Sequence, residues 1–189
     1  MRRGAKPVCT IFCPRRESDL KKSKPLLDEA GAYRYALWLL GHRPYTTGAL
    51  LQKFRLRSLP EAIGQTVVEK LTAKKFLNDQ AYAESLIHSK TSQNWGPSRI
   101  RTALYQKKVP REIIDQTLKS SYSQEGEAQQ AAELMERQKQ RFLRKKEKKE
   151  GQRLRQAFEF LVRKGFSVSA ARLAVNQVFS YNPELLNEE

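Results

Sequence analysis

Residues 96–118 read GPSRIRTALYQKKVPREIIDQTL, and this stretch decides the fold class. Pro97 stands where a first-turn proline belongs, because its missing N–H is one that a helix start leaves unbonded anyway. Ile100, Ala103 and Leu104 then share one helical face, and Ile113, Ile114, Thr117 and Leu118 share another. Lys107 to Pro110 separates the two faces. Nothing in the chain alternates with period two for long enough to make a sheet. The spacing predicts two short helices joined by a tight turn.

The same pattern returns on either side. A shift of 50 residues lays Thr46-Thr47-Gly48-Ala49-Leu50 on Gly96-Pro97-Ser98-Arg99-Ile100. It also lays Phe54 on Leu104, Leu59 on Val109, Ile63 on Ile113, Val67 on Thr117 and Val68 on Leu118. A shift of 57 carries those columns on to Ala157, Leu161, Phe166, Ala170, Ala174 and Val175. Seventeen of these eighteen positions are apolar, in a chain that is 39% hydrophobic. Amphipathic helices always align at some offset. Here the helix starts agree as well: Pro60, Pro110 and Ser167 fill one slot, and each can open a helix by a preset φ or by capping.

Such internal repetition predicts an all-α protein, an elongated array of three tandem three-helix units resembling helix-turn-helix modules. Residues 29–75 form the first unit, with helices Ala32–Leu40, Thr47–Arg55 and Glu61–Lys70. Residues 76–122 form the second, with Gln80–Thr91, Pro97–Gln106 and Arg111–Ser120. Asp79 is placed to cap the helix that opens at Gln80, with Leu77 and Ala83 as a staple. Residues 123–180 form the third. Its first helix is expected to run long, from Glu127 to Glu150, a span without Pro or Gly, and to end at Gly151. Gln152–Lys164 and Val168–Ser180 follow, with Gly165 at a left-handed position and Ser167 as an N-cap. Residues 1–28 read as a flexible basic tail and 181–189 as a frayed end. Residues 1–16 hold five Lys/Arg and no acid, which suits a tail or a basic targeting segment alike.

Charge then limits the function. The chain has 189 residues, 36 Lys+Arg against 20 Asp+Glu, and a formal net charge of +16. That excess points to a polyanion: nucleic acid first, then acidic protein, then membrane surface. No run of about 18 apolar residues offers a membrane span. Cys9 and Cys13 are too few for a disulfide framework or a structural zinc. His42 sits beside Gly41 in a turn and His88 aligns with Trp38 on a helix, as packing or surface. No D-x-D, H-x-x-x-H or paired-carboxylate motif appears, and every glycine is isolated, so no phosphate-cradling loop is present. An enzyme is disfavoured, and no cofactor or metal is expected.

A family resemblance sharpens this. Phe76-Leu77-Asn78-Asp79-Gln80-Ala81-Tyr82-Ala83 precedes Gly96-Pro97-Ser98-Arg99-Ile100, Leu104 and Lys107. The ordered set resembles the central repeat of the RecX regulatory proteins, an aromatic-Leu-Asp/Asn-Asp-x-x-aromatic-Ala start followed by Gly-x-x-Arg-Ile-x-x-x-Leu-x-x-Lys. Arg43-Pro44-Tyr45-Thr46 is similar to the first-repeat turn of that family, and Lys164-Gly165-Phe166 to its third-repeat turn. The resemblance covers about residues 30–180. Two slots depart from it: Lys75 and Lys108 stand where the family usually has Gly. A left-handed residue there would cost Lys about 1 kcal/mol, which predicts different turns.

The resemblance implies an all-helical, non-enzymatic regulator of DNA repair, homologous recombination and the SOS response, working in the cytoplasm. Its partner would be a RecA-type recombinase filament on single-stranded DNA, in whose groove it would lie, restraining ATPase and strand exchange. A monomer is expected, and double-stranded DNA is a further candidate partner. The alternative is a general nucleic-acid-binding helical protein with no recombinase partner.

Three basic clusters are the candidate contacts. The densest lies in 136–155, which holds ten Lys/Arg and three acids. Its members are Arg137, Arg141, Arg144, Lys145, Lys146, Lys148, Lys149, Arg153 and Arg155, along with Lys139. Like charges at i,i+4 repel in a free helix, so the excess calls for a polyanion. The second cluster is Arg99, Arg101, Lys107, Lys108 and Arg111, where Arg99 is equally suited to bonding a neighbouring unit. The third is Arg43, Lys53, Arg55 and Arg57. Tyr45, Trp95 and Tyr105 are candidates for base stacking. Tyr45 and Trp95 align at the same turn, which favours packing between helices.

Overall fold

The computed structural model describes residues 28–144 and 150–179. Among them are nine helices and no strand. They are α1 (Glu29–His42), α2 (Thr47–Arg55), α3 (Glu61–Ala73), α4 (Asp79–Thr91), α5 (Pro97–Gln106), α6 (Arg111–Ser121), α7 (Gln124–Leu143), α8 (Glu150–Lys164) and α9 (Val168–Phe179). Successive helices form three triplets, each around its own cluster of buried side chains. No helix of the described residues is long and apolar enough to cross a membrane.

Most of the aligned columns are core, while Ile63 and Ile113 are only half-buried at its edge. Leu50, Ile100 and Ala157 are buried, as are Phe54, Leu104 and Leu161, and Leu59, Val109 and Phe166. Thr117, the one polar member, is buried too, and its hydroxyl donates to the Ile113 carbonyl at 2.7 Å. A backbone device explains two of the columns. After α2 the Leu59 N–H reaches the Phe54 carbonyl, and the Ser58 N–H reaches that of Arg55. The same two bonds follow α5 (Val109 to Leu104, Lys108 to Tyr105) and α8 (Phe166 to Leu161, Gly165 to Val162). This is the Schellman closure, which pairs an apolar residue past the helix with one in its last turn.

That closure needs a residue with positive φ, and the chain seldom supplies glycine. Gly165 takes φ 94°, but Ser58, Lys75, Asn94 and Lys108 take 57–61°. The expectation that Lys75 and Lys108 would change their turns is therefore wrong. Both keep the left-handed turn, at roughly 1 kcal/mol each. At Lys108 the buried Val109 beyond the turn offsets that strain, while at Lys75 the turn is closed by its backbone bonds with Phe76 left exposed.

Two further expectations are corrected. The cap of α4 is Asn78, whose Oδ1 accepts from the Ala81 N–H at 2.9 Å. Asp79 is buried and turned away, while Leu77 joins the first cluster and Ala83 the second. The long helix also stops early. α7 ends at Leu143, and Gly151 lies in the first turn of α8. Phe142 is the last buried residue of α7. From Arg144 to Arg153 the sequence has no apolar side chain to bury, and its like charges repel.

Neighbouring triplets meet at two related joints. At the first, the Thr46 hydroxyl caps α2 by accepting from Ala49 N–H and donates to the Lys107 carbonyl. Asp79 accepts from Thr47, from N–H at 2.9 Å and from Oγ1 at 2.6 Å. At the second joint, Gly96 N–H donates to the Lys164 carbonyl at 2.8 Å and Ser98 N–H to that of Gly165 at 3.0 Å. In each case the start of a triplet's second helix docks on the left-handed turn of the next triplet.

Candidate nucleic-acid interface

The basic clusters separate by what holds them. In the first triplet Arg55 pairs with Glu61. Arg57 turns inward, its guanidinium 3.9 Å from the Tyr35 ring centre and its Nε buried. Burial pushes the Tyr35 phenol up and Arg57 pulls it back. Arg43 lies 4.7 Å over the Tyr45 ring, and Lys53 is half-buried. In the second triplet one carboxylate, Asp115, takes both Arg101 and Arg111, the latter at 3.6 Å. Arg99 stacks 3.9 Å over Trp95, with Lys90 at 4.7 Å from the same ring. Lys107 and Lys108 are exposed and make no ion pair among the described residues.

The densest cluster is divided rather than continuous. Arg137, Lys139 and Arg141 stand on α7, and Arg144 caps it. Arg153 and Arg155 stand on α8. Lys145, Lys146, Lys148 and Lys149 lie outside the described residues, and with them the part beyond Arg144 of the stripe that helical spacing predicts through Arg137, Arg141, Arg144, Lys145 and Lys148. Arg137 is held at the second joint, where it donates to Asn94 Oδ1 at 3.0 Å and to the Glu133 carbonyl at 3.3 Å. Arg155 pairs with Glu159 at 3.4 Å. Arg141 and Arg144 are exposed.

Arg99 is tied to structure by its backbone. A Cβ built on Gly165 would lie 2.4 Å from Arg99 Cβ, so these two residues touch across the second joint. Trp95 is half-buried between cations, which matches packing; Tyr105 is exposed.

The aromatic feature that the sequence reading passed over is on α1. Trp38 is 57% exposed and stacked with Tyr35 at 6.1 Å and 16°. His42 lies 4.4 Å from the Trp38 ring and donates from Nδ1 to its carbonyl. The signal was present as the spacing of 35, 38 and 42 on one helical face. Around it, residues 30–60 hold Arg34, Arg43, Lys53, Arg55 and Arg57 and no acid at all.

The geometry is that of a repeat array with a cationic, partly aromatic surface, and its relatives are of one kind. Residues 78–118, spanning most of α4 to α6, match the RecX second three-helix domain. A regulatory protein RecX of Trichlorobacter lovleyi is 33% identical over 135 residues, covering 71% of this chain and 86% of that one. The chain belongs to the RecX family of regulatory proteins. A RecX of Pseudomonas entomophila is 31% identical over 135 residues, 71% of this chain and 83% of its own length. A longer RecX of Leuconostoc citreum is 34% identical over 152 residues, and the match covers 55% of it. Among solved structures, a regulatory protein RecX superposes with a TM-score of 0.65 at 26% identity, covering 81% of this chain and 72% of that one. RecX from Lactobacillus salivarius gives 0.71 at 21% identity, covering 81% and 97%, a likeness of fold. The RecX signature residues have structural roles here. Gly96 gives the close approach at the second joint, and Asp79 and Thr46 hold the first.

Proposed function

We propose that the protein is a RecX-type regulator that binds a RecA-type recombinase filament on single-stranded DNA and restrains its ATPase and strand exchange. It does so by occupying the filament, with no chemistry of its own. Residues 29–75, 76–122 and 123–180 act as three repeat units strung along the filament. Family membership carries this reading, and the charge distribution supports it. Cations already paired with carboxylates, such as Arg55, Arg101, Arg111 and Arg155, have less to offer a phosphate. Lys107, Lys108, Arg141, Arg144 and Arg153, together with Lys145, Lys146, Lys148 and Lys149, are the phosphate contacts of this proposal, with Arg43 and Lys53 in the first unit.

The experiment is recombinase ATPase and strand exchange measured with increasing protein. Both should fall. Unchanged rates at excess protein overturn the proposal. Equal affinity for bare single-stranded DNA and for the filament, at two salt concentrations, would point instead to a general nucleic-acid-binding protein.

A further inference from the structure

An open cleft of about 500 Å³ lies where the α1–α2 turn faces α4. Ala83 and Ile87 of α4 point into the second core. Ser85 and Ser89, at complementary spacing, face the other way and line the cleft opposite Tyr45, and Tyr82, half-buried against the edge of the second core, lines it with them. Lys75 and Phe76 line it as well, carried there by the left-handed turn at Lys75. Phe76 closes that turn as Leu59, Val109 and Phe166 close theirs, its N–H on the Leu71 carbonyl. Those three side chains are buried, whereas Phe76 is 53% exposed. Trp95 closes the Asn94 turn in the same way and is half-buried, so Phe76 is the most exposed of the five and its ring is available to something else.

We propose that this cleft holds one unstacked nucleotide of single-stranded DNA. The base stacks on Phe76 and Tyr82, and the phosphates rest on Lys75, Lys90 and Arg43. No acid lines the cleft. The two acids of α4 are engaged elsewhere, Asp79 with Thr47 and Glu84 with Gln80. Lys75, Lys90 and Arg43 make no ion pair among the described residues. Arg43 stands at the rim of the cleft, 4.7 Å over the ring of Tyr45, which lines it. Aromatic faces accept any base, and the Ser85 and Ser89 hydroxyls suit base edges. A base paired in a duplex cannot enter without being flipped out. An acidic peptide with an apolar anchor would use the cations and rings but not the hydroxyls.

The site stands without the recombinase, so the test omits it. Fluorescence anisotropy of a labelled thymidylate oligomer of about twenty nucleotides reports binding to the full chain. Phe76→Ala should weaken that binding about tenfold and leave a duplex of equal length unaffected. If Phe76→Ala does not fold, Phe76→Leu keeps an apolar side chain, removes the ring and carries the same expectation. Lys75→Gly suits the backbone at φ 61°, and with Lys90→Gln it should reduce the log–log salt slope by about 1.4. The proposal is overturned by no loss, or by equal loss on single strand and duplex. Unchanged single-strand binding with lost affinity for DNA-free recombinase would overturn it in favour of a peptide site. Failure here leaves the inhibition of the filament unaffected, and failure there leaves the cleft unaffected.

Discussion

The joint between the first and second triplets and the joint between the second and third set the same backbone features together, but hold them by different chemistry. The first uses side chains. The Thr46 hydroxyl bridges to the Lys107 carbonyl, and the buried Asp79 carboxylate grips Thr47 at the positive end of α2. The second uses backbone. Gly96 leaves α5 without a side-chain cap, and the Gly165 carbonyl of the next triplet takes the free Ser98 N–H instead. Both joints have a close approach that admits no side chain, Gly48 on Lys108 and Gly96 on Gly165, but only the first adds polar side chains that bond the helix start. Each triplet keeps its own core, so the joints can be weakened without dismantling what they connect.

Gly96→Ala should have the largest effect. Its Cβ would stand 2.3 Å from the Gly165 carbonyl carbon and 2.4 Å from Phe166 N, both backbone atoms. The joint must open, losing two hydrogen bonds and exposing their partners. The expected loss is about 3 kcal/mol, seen in denaturant unfolding, with a larger radius of gyration by small-angle scattering. A parental radius would mean that the close approach is not what shuts this joint. Gly48→Ala meets Lys108 O at 2.5 Å, but it gains about 1 kcal/mol of helix propensity, so its net loss should be smaller.

Asp79→Ala comes next and tests the first joint alone. It removes two hydrogen bonds to a charged acceptor and leaves the Thr47 N–H without its partner. About 2 kcal/mol should be lost in denaturant unfolding. A loss confined to a few tenths would show that water replaces the carboxylate, making the first joint the looser of the two.

Asp79 also marks the limit of sequence reading. The shifts of 50 and 57 picked out helix starts and core columns because burial leaves an apolar trace at fixed spacing. They said nothing of where a polar side chain turns. Asn78 and Asp79 are both good caps, and only the neighbouring triplet decides that Asp79 reaches to Thr47. Lys108 was misread for a related reason: local propensity argues against positive φ, and the Leu104–Val109 closure overrides it. The candidate site was less legible than the core. Composition locates cations but not their partners, so Arg101 and Lys107 look alike in sequence, although Asp115 is paired only with the former. Trp38 carried a readable spacing, but nothing in the sequence shows that its ring is left in solvent.

Lys108→Gly has the smallest effect, and its sign is opposite. Lys108 and Gly165 hold equivalent turns, one against Gly48 and the other against Arg99. At φ 59° the lysine is strained and glycine is not, so the variant should gain roughly 1 kcal/mol in denaturant unfolding, less what the more flexible unfolded chain takes back. It also deletes an exposed charge that makes no ion pair among the described residues. If Lys108 neutralises a phosphate, the log–log salt slope for single-stranded DNA should fall by about 0.7. A lysine kept only for its turn would be outdone by glycine on stability and would leave that slope alone. A gain in stability together with a shallower slope would mean that the first joint carries strain for the sake of the bound strand, where the second, with Gly165, carries none.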